Sequence, residues 1–172
     1  SERTDWWMDA FGLLIAALGQ GCRVLAIGSV SNLRRGGREK RMVADDLLCT
    51  GFFAHTRNPL YLGNLLIFGG LTLIANSYAW YLLALPIVVG MYWALVLAEE
   101  DFLARKFGER YRQYRQSVNR FMPKLTGLAA SLRTCHFDWW RIIRKEYGIV
   151  CSWLAMALGL LIWERWAHFG FV

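Results

Sequence analysis

Four long apolar stretches dominate the hydrophobic pattern of the chain, at residues 10–30, 60–76, 79–98 and 147–166. An α-helix needs about 20 mainly apolar residues to cross a bilayer, within a range of about 17 to 25. Each stretch is long enough, although a buried helix of a soluble protein is the alternative for any one of them. The pattern predicts an all-α, polytopic membrane protein with about four transmembrane helices, in which residues 1–172 form a single membrane-embedded domain.

The two middle stretches are joined only by Asn76, Ser77 and Tyr78. So short a connection predicts a tight antiparallel helical hairpin, because it leaves no room for a longer excursion between the two helices. Pro86 lies inside the second helix of this hairpin. It should kink that helix, since proline has no N–H group to donate to the preceding turn.

Two amphipathic patterns lie between the third and fourth apolar stretches, and both predict cytoplasmic helices at the membrane surface. In the first, one face is aromatic or apolar and the other is polar: Phe107, Tyr111, Tyr114, Val118 and Phe121 against Arg110, Arg112, Arg115, Gln116 and Asn119. The second follows Pro123 and consists of Leu125, Leu128, Leu132, Cys135, Trp139 and Ile143. We interpret this second helix as a plain lipid anchor, which together with the last transmembrane helix makes up residues 124–172.

The composition supports the membrane assignment, because 56% of the residues are hydrophobic and nine are tryptophan. The net charge is +7, and all but three of the 20 Lys and Arg residues lie in segments 31–58 and 99–146, beside apolar stretches. The positive-inside rule therefore places both segments in the cytoplasm and both termini on the opposite side. No nucleic-acid-binding motif accompanies these charges, so we expect membrane lipids as partners and no nucleic acid.

Three smaller features narrow the possibilities further. The first stretch lacks the basic region and small-residue cleavage site of a signal peptide, so we expect a retained span. The four cysteines include no C-x-x-C pair, which favours small buried residues in reduced form. The three histidines, His55, His136 and His168, have no ligand-spaced neighbours, so the sequence predicts no metal site.

Polar residues cluster where two of the apolar stretches begin and end. Arg57, Asn58 and Tyr61 surround Pro59, a residue suited to the first turn of a helix, and a helix N-terminus with a nearby arginine attracts anions. Residues 99–101, Glu-Glu-Asp, close the third stretch at the same membrane face, where we expect the helix to continue into the aromatic-striped one. Acids, a cation and aromatic rings at one depth predict a pocket for a charged, ring-bearing cofactor.

These residues resemble a motif of known integral-membrane methyltransferases. The first half reads Gly51-Phe-Phe-Ala-His-Thr-Arg57-Asn58-Pro59-Leu-Tyr61-Leu-Gly63, and the second includes Glu99-Glu100, Phe107-Gly108, Tyr111, Tyr114, Val118, Arg120 and Pro123. The pattern, over residues 50–123, is similar to that of isoprenylcysteine carboxyl methyltransferase and the phospholipid methyltransferases. One departure is Asn58, which stands where the family usually has histidine. An amide cannot titrate there, although it still donates and accepts hydrogen bonds.

The resemblance implies that the cofactor is S-adenosylmethionine and that the methyl acceptor is lipophilic or embedded in the membrane. It implies a cofactor-binding set of His55, Arg57, Asn58, Tyr61, Glu99, Glu100, Tyr111 and Tyr114, and a catalytic set of Arg57, Glu99 and Arg120. In this scheme Arg57 binds the methionine carboxylate, while Glu99 or Glu100 binds the ribose or the amino group. A tyrosine covers the adenine, and Arg120 orients an anionic acceptor.

Two other functions compete with methyl transfer. Membrane sterol and enone reductases use NADPH with a similar stretch, but their glycine is usually followed by Asp, whereas Asn64 follows Gly63 here. A non-catalytic scaffold that keeps the fold is the other alternative. The chain is expected to be a monomer or a homodimer. Glycines at 12, 19, 21 and 28 allow close helix approach, which we assign to packing within one chain.

Overall fold

The structure, a computed structural model, describes residues 2–31, 47–135, 137 and 139–169. His136, the side chain of His168 and the basic residues from 34 to 41 lie outside this description. No strand occurs among the described residues, which confirms the predicted all-α class. These residues form six α-helices: α1 Glu2–Ser31, α2 Pro59–Ala75, α3 Leu85–Phe107, α4 Glu109–Ser117, α5 Leu128–Arg133 and α6 Trp139–Phe169.

Three helices are long and apolar enough to cross a membrane, within the part of the chain that the structure describes. They are Trp6–Ser29 in α1, Trp80–Phe107 through α3, and Trp139–Glu164 in α6. The fourth predicted span is α2, which is apolar but shorter, at 17 residues. Its length lies at the lower end of what a bilayer requires. The membrane class is thus confirmed, with three long spans and one short apolar helix.

The predicted hairpin is present between α2 and α3. Helix α2 begins with Pro59, whose missing N–H is not needed in the first turn, and ends at Asn76 with a φ of 40°. Asparagine tolerates this left-handed conformation, which turns the chain sharply. Helix α3 is preceded directly by a π-helical turn, Trp80–Ala84, so that Pro86 is accommodated beside locally widened helical geometry.

The segment after α3 differs from the prediction in two places. Gly108, with a φ of 53°, interrupts the expected continuous helix, so α4 is a separate helix that ends at Ser117. The prediction of a second amphipathic helix over Leu125 to Ile143 was wrong. Helix α5 ends at Arg133, and Ile143 belongs to α6. The physical reason is tertiary, because the Phe137 ring occupies the space over Gly28 and so draws the chain against α1 between the two helices.

Glycines hold α1 and α2 in close contact. A Cβ atom at Gly12 would lie 2.6 Å from the carbonyl oxygen of Gly70, and one at Gly19 would lie 2.6 Å from that of Gly63. Each glycine pair is seven residues apart on its own helix, so one face of each helix is involved. Such close backbone approach is typical of membrane helix pairs. Gly12, Gly19 and Gly28 therefore serve packing within the chain, as expected, whereas nothing lies within 4 Å of a Cβ at Gly21.

A buried ion pair fastens α6 to these two helices. Two nitrogens of Arg23 donate to the Glu146 carboxylate at 2.7 and 2.8 Å, and the third donates to Asn64 at 2.5 Å. Gln20 also donates to Glu146, and Trp153 donates to Gln20. The Arg23 stem passes over Gly63, and a Cβ atom at Gly63 would lie 2.5 Å from the Cγ atom of Arg23. Because charges at membrane depth are costly unless paired, this network fixes how three helices pack.

Replacing Gly19 with alanine tests the seam between α1 and α2. The new methyl would meet backbone atoms of α2, so we expect the free energy of unfolding to fall by about 1–3 kcal/mol. The measurement is thermal or denaturant unfolding in detergent micelles. Gly21→Ala is the matched control, because nothing lies within 4 Å of a Cβ at that position. The control should be neutral or gain up to about 1 kcal/mol from helix propensity; equal losses in both variants would contradict the seam.

Candidate active site

The backbone joins the two halves of the sequence motif before any side chain is considered. Residues 55–58, which precede α2, run alongside residues 119–124, which follow α4. Three hydrogen bonds link them: Arg57 N–H to Asn119 O at 2.9 Å, Asn58 N–H to Arg120 O at 3.2 Å, and Lys124 N–H to His55 O at 3.0 Å. The fully buried Thr56 hydroxyl adds a bond to the Phe121 carbonyl at 3.0 Å. Positions far apart in the sequence are thereby held side by side.

The side chains of His55 and Tyr114 make further hydrogen bonds that hold these two segments in place. His55 is buried, with Nδ1 2.6 Å from the Lys124 carbonyl oxygen and Nε2 2.9 Å from the Ser131 hydroxyl. The Tyr114 hydroxyl donates to the Phe53 carbonyl at 2.7 Å. Both side chains are therefore engaged with protein groups that anchor the loop before α2.

A single buried carboxylate, Glu100 of α3, gathers the polar side chains of the site. Arg120 donates to it through Nε at 3.0 Å and Nη2 at 2.8 Å, a forked arrangement. Arg57 approaches the same carboxylate with Nη2 at 3.3 Å, and the Asn58 amide donates at 3.4 Å. Glu100 is 6% exposed. One acid thus holds two guanidinium groups and an amide that come from two separate segments, at residues 57–58 and 120.

The charges of this cluster do not cancel. Arg57 and Arg120 carry two positive charges and Glu100 carries one negative charge, so one positive charge remains. The Arg57 side chain is only 8% exposed, and its buried Nε has no hydrogen-bond partner within the described structure. The hydrogen bond to Glu100 raises the pKa of Arg120 above its ordinary value. A buried, unpartnered donor beside excess positive charge is suited to an anionic ligand.

Tyrosines border the cluster on two sides. Tyr111 of α4 is buried next to Tyr114, with ring centroids 6.1 Å apart. Burial, and then the negative charge of Glu100, raise the pKa of Tyr111 to about 12. On the other side, Tyr61 of α2 lies 5.8 Å from Tyr92 and near the exposed Glu99 carboxylate.

A model of the phospholipid methyltransferase family matches residues 7–110, more than half of the chain. The chain belongs to this family. It is therefore an integral membrane protein of a methyltransferase family. No curated protein and no solved structure matches the chain. The matched segment includes most of α1, all of α2 and α3, and the first two residues of α4, whereas Arg120, α5 and α6 lie beyond it.

The structure brings some of the predicted site residues together and separates others. Arg57, Asn58, Glu100 and Arg120 are in mutual contact, and Tyr111 lies beside them. Glu99 and Tyr61 lie near each other at the edge of this group. His55 faces the Lys124 carbonyl and the Ser131 hydroxyl, and Tyr114 faces the Phe53 carbonyl, so the geometry gives both residues a supporting position. The roles of all these residues in catalysis remain predictions.

One neighbour of the cluster is absent from the predicted set. Trp93 of α3 lies against Arg120, with 5.0 Å between its ring centroid and the guanidinium carbon. Trp93 precedes Glu100 by seven residues, so both lie on nearly the same face of one helix. This spacing could have indicated from the sequence that Trp93 lies near the site. It was lost among nine tryptophans, most of which lie in or beside apolar stretches.

Replacing Glu100 with glutamine tests whether this carboxylate holds the site together. The variant keeps the shape but leaves two guanidinium groups without their counterion, so we expect a loss of about 3–5 kcal/mol in the free energy of unfolding. Denaturant unfolding in micelles measures it. Asp101→Asn is the control, because Asp101 is 59% exposed in its pair with Arg105 and such pairs contribute about 0–1 kcal/mol. An equal effect of the two substitutions would contradict this assignment.

Proposed function

We propose that the chain is an S-adenosylmethionine-dependent methyltransferase that acts on a lipophilic acceptor at the cytoplasmic surface of a membrane. The observation that carries the proposal is the meeting of Arg57, Asn58 and Arg120 around Glu100, since it unites the two halves of the motif in one polar niche. The family match supports methyl transfer in general.

The residues of the niche fit the chemical groups of this cofactor. Its carboxylate suits Arg57, whose buried Nε lacks a partner among the described residues. Its ammonium group and ribose hydroxyls suit Glu99, which is exposed at the edge of the niche. The tyrosines Tyr61 and Tyr111 offer ring faces for the adenine and for a cationic sulfur. When bound, the cofactor supplies an electrophilic methyl group.

The contribution of the chain itself is mainly positional. Glu100 holds Arg57 and Arg120 in place, and the backbone bonds between residues 55–58 and 119–124 restrict movement of the loop. Arg120 is partly exposed and would orient an acceptor. Tyr111 and Val118 are buried and limit the access of water to the niche. Aligning the two reacting groups in a dry site accounts for much of the rate of such displacements.

The orientation in the membrane follows from charge. The niche lies at the ends of α2 and α3 that adjoin the basic helix α4, and basic segments favour the cytoplasmic side. We therefore assign the niche to the cytoplasmic face and both termini to the opposite face. A polar cofactor would enter from the cytoplasm, and a lipophilic acceptor would enter from the bilayer.

Binding of radiolabelled S-adenosylmethionine to the purified full chain tests the proposal. We expect saturable binding to the wild type and label in the lipid-extractable fraction. Arg57→Lys keeps the charge but removes the Nε donor, so the Kd should rise about tenfold or more, as for a lost hydrogen bond to a charged group. Equilibrium dialysis of the protein in nanodiscs measures the Kd of the wild type and of Arg57→Lys.

Arg112→Lys is the control, because the Arg112 side chain is 73% exposed and pairs with Glu109 on α4. Its Kd should match that of the wild type. Saturable binding of NADPH in place of S-adenosylmethionine would favour the reductase alternative. No saturable binding of either compound by folded protein would favour a non-catalytic scaffold.

A further inference from the structure

The chain that follows α4 returns to the depth of the membrane-spanning part of α3. Trp93 lies near the middle of the apolar span Trp80–Phe107, and it precedes Glu99, the first acid of α3, by about 9 Å along the helix axis. The centroid of the Phe121 ring is nevertheless 6.0 Å from that of Trp93, and the guanidinium carbon of Arg120 is 5.0 Å from it. Phe121 therefore lies closer to the middle of the bilayer than the polar end of α3 does.

Residues 119–124 enter this depth and leave it on the same side of the membrane. Helix α4, which precedes them, is basic and lies on the face that we assign to the cytoplasm. Helix α5, which follows them, lies on that face too, because its Ser131 hydroxyl is 2.9 Å from His55 in the loop before α2. A segment that enters the bilayer from one face and returns to the same face is re-entrant.

The backbone of residues 119–124 is bonded in the way that such a depth requires. Non-helical backbone is tolerated inside a bilayer only where its polar groups find partners within the protein or in a water-filled cavity. The three consecutive carbonyls at 119–121 accept hydrogen bonds from residues 56–58, at 2.9, 3.2 and 3.0 Å. Pro123 has no N–H group, and the N–H of Lys124 donates to the loop before α2 at 3.0 Å. This pairing lowers the cost of placing the segment in hydrocarbon.

Met122 is the apolar side chain that this segment turns away from the protein. It follows Phe121 directly, and it is 76% exposed. Such exposure is unfavourable in water, whereas in hydrocarbon the same surface is in a matching environment. The Lys124 ammonium donates to the Ser117 carbonyl at the end of α4, as expected for a lysine that extends from the bilayer to its polar boundary. Apolar and charged side chains of the segment thus point to different depths.

We propose that residues 119–124 form a re-entrant loop whose Met122 side chain inserts into the hydrocarbon of the cytoplasmic leaflet. The partner of this surface is the acyl-chain region of the bilayer. Because Arg120 belongs to the same loop, the insertion holds one side of the niche against the hydrocarbon, so a lipophilic molecule reaches it without crossing water. The inference does not depend on the reaction proposed for the chain, since it rests on depth, backbone bonding and exposure.

Spin-label accessibility in lipid nanodiscs tests the depth of Met122. In the full chain the four cysteines are replaced by alanine, one new cysteine is labelled with a nitroxide, and its collisions with oxygen and with the polar nickel complex of ethylenediaminediacetate are measured. Met122→Cys is the test position. Leu95→Cys, at a site 45% exposed on α3, is the hydrocarbon reference, and Gln116→Cys on the exposed face of α4 is the aqueous reference.

We expect the ratio of oxygen to nickel accessibility at Met122 to exceed that at Gln116 about tenfold, because hydrocarbon excludes the polar complex. It should lie within about twofold of the ratio at Leu95. A ratio at Met122 equal to that at Gln116 would place the side chain in water and overturn the inference.

Photocrosslinking of the chain with its native cysteines gives a second measurement. With p-benzoylphenylalanine in place of Met122, we expect adducts with phospholipid acyl chains, seen as a mass increase of one lipid, and no such adduct from the same probe in place of Gln116. Adducts with a second copy of the chain instead of lipid, or equal lipid adducts at both positions, would contradict the insertion. Neither measurement requires S-adenosylmethionine or turnover, so a failure of the proposed methyl transfer would be seen separately, as absent cofactor binding.

Discussion

The arrangement of the site depends on one buried carboxylate. Glu100 binds Arg57 and Arg120, which come from two loops that the sequence places more than 60 residues apart, and it accepts a weaker bond from Asn58. A carboxylate at 6% exposure is stable only if its charge is matched, and here it is overmatched by one positive charge. The same interaction therefore closes the loops on α3 and leaves a niche that favours anions.

A second polar network, formed by Arg23 and Glu146 with their neighbours, holds α1, α2 and α6 together. Arg23 and Glu146 satisfy each other fully, with Gln20, Asn64 and Trp153 completing the hydrogen bonds. Each of the three nitrogens of Arg23 donates to a protein side chain, whereas Nε of Arg57 in the Glu100 cluster has no partner among the described residues, so the Arg23 network favours packing. Gly63 contributes to both regions. It belongs to the motif beside Tyr61, and its missing Cβ lets the Arg23 stem cross α2.

The replacement of the usual family histidine by Asn58 has a limited structural effect. The Asn58 amide donates to the Arg120 carbonyl at 3.2 Å and to Glu100 at 3.4 Å, so it connects the loop, the arginine and the acid without carrying a proton of its own. The neighbouring His55 does not take over the position, since both of its ring nitrogens lie against Lys124 and Ser131. A mechanism based on positioning requires no titrating group at this point.

The sequence by itself determined the helical membrane class, the hairpin at Asn76 and the family. These features follow from local rules: the length of an apolar run, the few residues of a turn and the spacing of a motif. It also indicated that residues 57 and 100 share one membrane face, because helix lengths constrain depth. It did not reveal the break between α5 and α6, since that break depends on Phe137 packing over Gly28.

Only the tertiary structure decided how the candidate residues divide their contacts. Sequence spacing does not separate Glu99 from Glu100, yet adjacent residues on a helix point about 100° apart, so one is exposed beside Tyr61 and the other is buried between two arginines. Likewise, Trp93 meets Arg120 only because the chain after α4 folds back along residues 55–58. Contacts between distant segments depend on the packing of the whole bundle, which no local pattern encodes.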